Sequence, residues 1–379
     1  MASSTDFHTE PLNREIPRLF VAATRQNEGK TTTSLGLFAA LQTVYPKVGY
    51  IKPIGQRFID IEGMKIDEDS YLFDKIYNLE VPIQSMSPVA IDSTFTRRYL
   101  KNPDEIHPTL VDKIVRAFDR ATFGKQAVIV EGSGHAGVGA ICDLSNAQVA
   151  KLLGAKAIIV ARGGIGMPVD EIALNKSLFD KEGVEVVGAI INKVKHDKID
   201  VIEEYTRKGL ERLGVPLLGV MPEQEQLSKP NLSQVAEELN GRWINGDPED
   251  AHPRLKKIVV GAMSARGFIE QYGAGALIIT PGDRDDILLS MIASAAVVDQ
   301  TPASGLVLTS NTLPHPKLME LLAKTNMPVI ITEADSYTTA SKINRMTVKT
   351  QPEDQDKIPL IKRMILENVD LDKILNAFR

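Results

Sequence analysis

The chain has almost no cysteine: Cys142 is the only one in 379 residues. One thiol excludes a disulfide framework and a cysteine-based metal site within a single chain, and it points to a reducing compartment. A large excess of charge of one sign is also lacking. Lysine and arginine total 44 against 49 acidic residues, the net charge is −5, and no long basic run occurs. That balance argues against nucleic acid as a partner. No apolar run reaches about 18 residues, so neither a membrane span nor a membrane partner is expected. The opening residues, MASSTDFHTE, lack the basic start and apolar core of a secretion signal. The expected location is therefore the cytoplasm. No repeat of fixed period and no low-complexity tract is present.

What is present is an alternation of two periodicities. Short apolar runs (RLFVAAT, VGYIKPIG, QAVIVEGSG, AKAIIVARGG, VEVVGAIINKV and VPLLGVMPEQ) have the length and composition of buried strands. Segments with helical spacing, such as TLVDKIVRAFDRA and MPVDEIALNKSLFDKEG, lie between them. Strands alternating with helices predict a parallel sheet covered on both faces. The pattern stops at LNGRWINGDPEDAHPRLKK, which is rich in glycine, proline and charge and reads as a linker. A smaller alternation follows (KIVVGAM, GALIIT, SGLVLTS, MPVIITE), and PLIKRMILENVDLDKILNAF closes the chain as one or two amphipathic helices.

The first strand runs into Gly29-Lys30-Thr31-Thr32 and then a helix from Thr31 to Leu41. A strand, a loop with Gly-Lys-Thr and a helix suit a phosphate group, because backbone N–H groups and the helix N-terminus favour an anion. Lys30 would meet the outer phosphates, Thr31 would ligate Mg²⁺ and Thr32 would bond the inner phosphate. Asn27, Glu28 and Gly29 complete the expected nucleotide loop. The common pattern G-x-x-x-x-G-K-[ST] is not strictly met, since its first glycine would fall at Thr24. The bland alternative is a helix start with a chance Gly-Lys-Thr. Glu131 ends a strand after four apolar residues, where a metal-binding acid is expected, and with Thr31 it would hold one Mg²⁺ through oxygen ligands. The expected fold class is α/β: a P-loop parallel sheet with helices on both faces, plus a second, smaller α/β domain. The expected boundaries are an N-terminal arm at 1–17, a nucleotide-binding domain at 18–240, a linker at 241–257 and a second domain with C-terminal helices at 258–379.

These segments, in this order and spacing, resemble dethiobiotin synthetase over roughly residues 18 to 240. Ala23 stands where that family has the first small residue of its loop, usually glycine. The resemblance implies that Lys52-Pro53 in YIKPIG contact substrate, that Asp69 in KIDEDS binds Mg²⁺ with Asp67 in reserve, and that Glu131 in VEGSG is the acidic metal partner. It implies that Asn192 in AIINKV contacts the nucleotide base and that PLLGVMP is the next strand and loop. Lys52 would then hold a carboxylate or carbamate facing the γ-phosphate, although a lysine after a buried strand can also simply snorkel to water. Gln56-Arg57 replace a small hydroxyl-bearing stretch that touches substrate in dethiobiotin synthetase, which argues against the same substrate. Arg25 and His135 are further departures: Arg25 reads equally as a phosphate or dimer contact and as a solvent-facing residue, and His135 reads chiefly as a structural or surface residue.

The whole chain resembles something narrower, the N-terminal half of long bacterial phosphotransacetylases. ITPGDRDD is similar to the DRTGG motif found there, with Asp283-Arg284 matching and Asp285-Asp286 replacing the rest, and ITEADSYTTASKI resembles the corresponding stretch. Acyl transfer is not expected of a chain ending at Arg379. Asp285 and Asp286 would also favour a helix N-terminus on their own.

The leading expectation is an ATP- and Mg²⁺-binding regulatory or metabolite-sensing protein, with nucleotide as partner and a homodimer as the assembly. The alternative is an ATP-dependent ligase that activates a small carboxylate or carbamate, with Lys30 and Lys52 as its catalytic residues. A partition-type ATPase is the weakest reading, because Thr24 and Arg25 occupy the place where such loops carry a lysine.

Overall fold

A computed structural model describes residues 7–248, 254–297, 303–325, 327–354 and 356–378. Residues 1–6 of the expected arm and 249–253 of the expected linker lie outside the described residues. Contacts divide the chain into two units, Met1–Glu223 with Thr350–Arg379, and Gln224–Lys349.

The first unit contains β1 (Arg18–Ala23), β2 (Val48–Ile51), β3 (Ile54–Gly55), β4 (Phe58–Ile61), β5 (Met64–Asp67), β6 (Val89–Ala90), β7 (Ala127–Glu131), β8 (Lys156–Arg162), β9 (Val186–Val194) and β10 (Leu217–Pro222). Six of these strands form one sheet in the order β10-β9-β8-β1-β7-β2, every pair parallel. The central strand β1 is buried at all six positions, as expected of a strand covered on both faces. Phe20 and Ala22 enter a core with Phe118 of the helix Pro103–Thr122 and Phe179 of the helix Gly166–Lys181. Leu19 and Val21, of the opposite parity, are buried against the other face. The sequence reading of this sheet therefore stands. It missed the antiparallel hairpin β4–β5, which carries Asp67 to the start of the helix Glu68–Tyr77.

The helix Lys357–Asn368 was assigned from chain order to the second domain, yet it packs on the first unit. Its partner is the loop-proximal helix Lys30–Leu41. Gly36 permits this: a Cβ there would lie 2.2 Å from Ile365 Cγ1 and 3.0 Å from the Ile361 carbonyl oxygen. Val369 makes an isolated antiparallel bridge to Gly219, and the Asp370 N–H donates to the Leu218 carbonyl (2.7 Å). Small residues at the contact let backbones approach, which no apolar periodicity reveals.

The second unit is a five-stranded sheet of β11 (Arg242–Asn245), β12 (Lys257–Val260), β13 (Ala276–Pro281), β14 (Gly305–Thr309) and β15 (Val329–Ile331), in the order β11-β15-β14-β13-β12. All neighbours are parallel except β11, which runs antiparallel to β15. The segment read as a linker thus contributes an edge strand. Asn245 anchors it by donating from Nδ2 to the carbonyls of Leu322 (3.0 Å), Thr325 (3.1 Å) and Met327 (2.8 Å). Among the described residues no helix is long and apolar enough to cross a membrane.

Candidate functional site

β1 and the helix Lys30–Leu41 are joined by six residues, 24–29, beyond the carboxyl end of the sheet. Asn27 and Gly29 both have positive φ, 64° and 91°, which turns the chain sharply into the helix. Gly29 is the N-cap and carries no side chain to satisfy the first N–H groups, and the first turn holds no acid. The loop therefore presents uncapped donors and Lys30 at the positive end of a helix dipole.

The loop is latched from β9. Asn192 Nδ2 donates to the Glu28 carbonyl (2.9 Å), and Lys193 Nζ donates to the Asn27 carbonyl (2.6 Å). Lys193 itself sits at φ 58°, and its N–H donates to Asn192 Oδ1 (2.8 Å). A Cβ at position 29 would fall 2.0 Å from Asn192 Nδ2, so glycine is needed there twice over. Asn192, expected to contact a nucleotide base, is 4% exposed and gives its amide to the loop backbone. The Glu28 side chain is buried, with Oε2 unpartnered, and burial pushes its carboxyl up against the pull of Lys193.

Behind the loop lies a buried charge cluster. Glu131, fully buried at the end of β7, accepts from Thr31 Oγ1 (3.0 Å) and from the Tyr50 hydroxyl (3.3 Å), and Lys30 Nζ stands 4.0 Å from its Oε1. Burial raises the Glu131 carboxyl above the ordinary carboxylate range, with Asp69 adding to the rise and Lys52 and Lys30 opposing it. Burial lowers the Lys30 ammonium, with Glu131 pulling the other way. Tyr50 stacks on Phe73, with ring centroids 3.6 Å apart, and burial and then Glu131 keep its phenol well above its ordinary value. Lys52, just past β2, lies 3.0 Å from Asp67 Oδ1 and bonds Asp69 Oδ2. Burial works against the Lys52 ammonium, but Asp69, Asp67 and Glu131 outweigh it and hold its pKa above the ordinary lysine value.

Thr31 and Glu131 thus meet, while Asp69 faces Lys52. Asp67 N-caps the helix Glu68–Tyr77 through Oδ1 (Asp69 N–H, 3.0 Å) and shares Lys52. Thr32 is half-buried in the first turn beside Thr31. Among the described residues no three His, Cys, Asp or Glu side chains converge as a metal site. The hydroxyl–carboxylate pair of Thr31 and Glu131 nevertheless has the hard oxygen donors Mg²⁺ prefers. Tyr50 was missed from sequence, and Lys193, which with Asn192 resembles a base-reading pair, instead bonds the loop backbone. Lys193 had a signal in its place directly after Asn192, whereas Tyr50 reads as an ordinary strand aromatic.

The remaining candidates lie outside this cluster. Arg25 is exposed and pairs with Glu171 at 2.5 Å, bridging the loop to the helix Gly166–Lys181. His135, Gln56 and Arg57 are exposed. The glycine-bearing turn after Glu131 is clamped by Asn146, whose Nδ2 donates to the carbonyls of Ser133 (2.8 Å) and His135 (2.7 Å). In the second unit, Arg284 reaches back to the carbonyls of Gly261 (2.7 Å) and Met263 (2.8 Å) and pairs with Asp286 (2.9 Å).

A parallel sheet whose central strand feeds a Gly-Lys-Thr loop and a helix defines a P-loop domain. The AAA_26 family model, described as an AAA domain, matches residues 17–231, and the chain belongs to that family. The DRTGG domain model matches residues 234–346. The chain is 29% identical over 371 residues to a phosphate acetyltransferase of Pseudomonas aeruginosa, covering 93% of this chain and 51% of that protein. It is 29% identical over 362 residues to the phosphate acetyltransferase of Nitrosomonas europaea, covering 92% and 50%. The chain spans about half the length of the curated relatives it matches. It resembles the N-terminal half of long bacterial phosphotransacetylases, as the sequence indicated. A solved structure of the CBS and DRTGG domains of the regulatory region of Clostridium perfringens pyrophosphatase is 23% identical, covers 38% of this chain and 61% of that chain, and has a TM-score of 0.26.

Proposed function

We propose that the first unit binds ATP with Mg²⁺ and that the chain is a regulatory or metabolite-sensing protein, its second unit being the responsive module. The observation that carries this reading is the loop itself: an uncapped helix start, Lys30 in the first turn, and Thr31 bonded to a buried Glu131. Lys30 would neutralise the outer phosphates, and the backbone N–H groups of the first turn would take their oxygens. Thr31 and Glu131 would hold the metal, with Asp69 joining them, and bound Mg²⁺ would supply charge neutralisation at the phosphates. Asn192 and Lys193 would keep the loop in shape. Glu28 and Asn27, the two latched residues, would flank the bound nucleotide.

A second reading is an ATP-dependent ligase whose Lys52 holds a substrate carboxylate. Lys52 is close enough to the cluster to serve, but it is engaged by Asp67 and Asp69, and the exposed Gln56 and Arg57 lack the hydroxyl chemistry of the related substrate site. These observations favour the regulatory reading. A homodimer in the cytoplasm is part of the proposal, and sedimentation with and without nucleotide tests the assembly.

The experiment that tests the function is calorimetric titration of the protein with ATP, ADP and GTP, with and without Mg²⁺. Micromolar, Mg²⁺-dependent ATP binding supports the reading. No binding of any nucleotide by the unaltered chain contradicts both readings. Turnover that depends on an added acid or amine would favour the ligase.

A further inference from the structure

The inference rests on the nucleotide reading above and concerns what Lys52 does beside the nucleotide loop. Its side chain is 8% exposed, and those of Asp67 and Asp69 are 2% and 7% exposed. The ammonium lies 3.0 Å from Asp67 Oδ1 and bonds Asp69 Oδ2, so one cation is shared by two acids at the start of one helix. The second oxygen of Asp67 has no hydrogen-bond partner and is packed at Gly55, where a Cβ would lie 2.6 Å from it. Two carboxylates taken out of water side by side repel each other, and a positive charge between them relieves that repulsion. In the family pattern that charge at Asp69 is a metal ion. Here it is supplied by Lys52, and among the described residues no three His, Cys, Asp or Glu side chains converge as a metal site.

We propose that Lys52 is the resident cation of the Asp67–Asp69 pair and holds Asp69 in alternation with a divalent metal ion. A lysine suits the role, being a compact point charge on a flexible stem. Lys52 already acts electrostatically on Lys30, so both ammonium groups belong to one field. An anionic phosphate arriving on the Lys30 loop draws Lys52 away from Asp69, and the freed carboxylate then accepts the metal. Metal binding at Asp69 is therefore conditional on the nucleotide, and the cluster discriminates against free divalent ions.

The test uses Mn²⁺ as the probe on the full chain without nucleotide, with free Mn²⁺ read by electron paramagnetic resonance. The unaltered chain should bind Mn²⁺ weakly. Lys52→Met should bind it about tenfold more tightly or better, since the competing charge is gone. Adding Asp69→Asn to Lys52→Met should remove the gain. Nucleotide-free wild-type chain that binds Mn²⁺ as tightly as Lys52→Met, through Asp69, overturns the proposal. So does a folded Lys52→Met with no gain. Where Lys52→Met fails to fold, Lys52→Gln removes the charge while keeping a polar contact, and the wild-type measurement decides independently. Failure of the nucleotide reading shows separately, as absence of ATP binding by the wild-type chain, because none of these Mn²⁺ measurements contains ATP.

Discussion

The two units solve the same problem at the ends of their strands in opposite ways. In the first, strand ends deliver charge into the interior: Glu131, Lys52, Asp67 and Asp69 are all buried, and Lys30 is nearly so. In the second, the strand-end loop keeps its charge at the surface and satisfies it locally, with Arg284 bonded to Asp286 and to the carbonyls of the neighbouring loop. Buried charge is costly and persists where a fold has a use for it, whereas an exposed, self-paired loop mainly fixes its own shape. The proposed nucleotide chemistry accordingly falls in the first unit, and the proposed responsive role in the second.

That comparison can be broken or sharpened by substitution. The largest effect is expected for Lys30→Ala, which should weaken ATP binding about a hundredfold or more by removing a charge-assisted contact to phosphate, as read by calorimetry. An equal loss from Arg284→Ala would erase the distinction between the units. Gly36→Val comes next. Its side chain would collide with Ile365 and the Ile361 backbone, and overpacking of this kind costs about 1–3 kcal/mol, visible as an earlier chemical unfolding transition. Unchanged stability would mean that the helix Lys357–Asn368 is not fixed on the helix Lys30–Leu41.

Arg284→Ala should cost about 1 kcal/mol through its lost carbonyl contacts and leave nucleotide affinity unchanged. The smallest effect belongs to Asp335, which N-caps the helix Ser336–Arg345. Hydrogen bonds from the Thr338 N–H and hydroxyl hold its carboxyl below the ordinary value. A depressed carboxylate stabilises the fold above its unfolded pKa and loses that contribution as pH falls through the folded one. Asp335→Ala should therefore melt slightly earlier than wild type at neutral pH, with the gap closing in acid. A gap that persists in acid would assign the loss to something other than the charged cap.

Sequence carried the strands and the loop because both depend on local pattern. β1 is a short apolar run at the right distance from Gly-Lys-Thr, and every expected strand of the two sheets formed. The acid–base cluster was partly legible: Thr31 and Glu131, read as sharing one Mg²⁺ with Asp69, are hydrogen-bonded, whereas Asp69 is bonded to Lys52 and Lys30 lies 4.0 Å from Glu131. No spacing rule could show that, because it depends on where the hairpin β4–β5 delivers Asp67 and Asp69 in space. Tyr50 was hidden because its burial on Phe73 looks the same from sequence with or without the bond to Glu131. β11 was hidden by the glycine and proline around it, since an edge strand needs only a short run and an anchor such as Asn245. The position of the last helices was hidden in Gly36 and Gly219, where the absent side chain is the signal.

The central claim is that nucleotide sits on the Lys30 loop of the first unit. Hydrogen exchange of backbone amides, with and without ATP and Mg²⁺, tests it most directly. The account predicts protection concentrated in residues 24–34 and at the end of β7, lost in Lys30→Ala. Protection confined to residues 281–286 of the second unit, with the Lys30 loop unchanged, would contradict it.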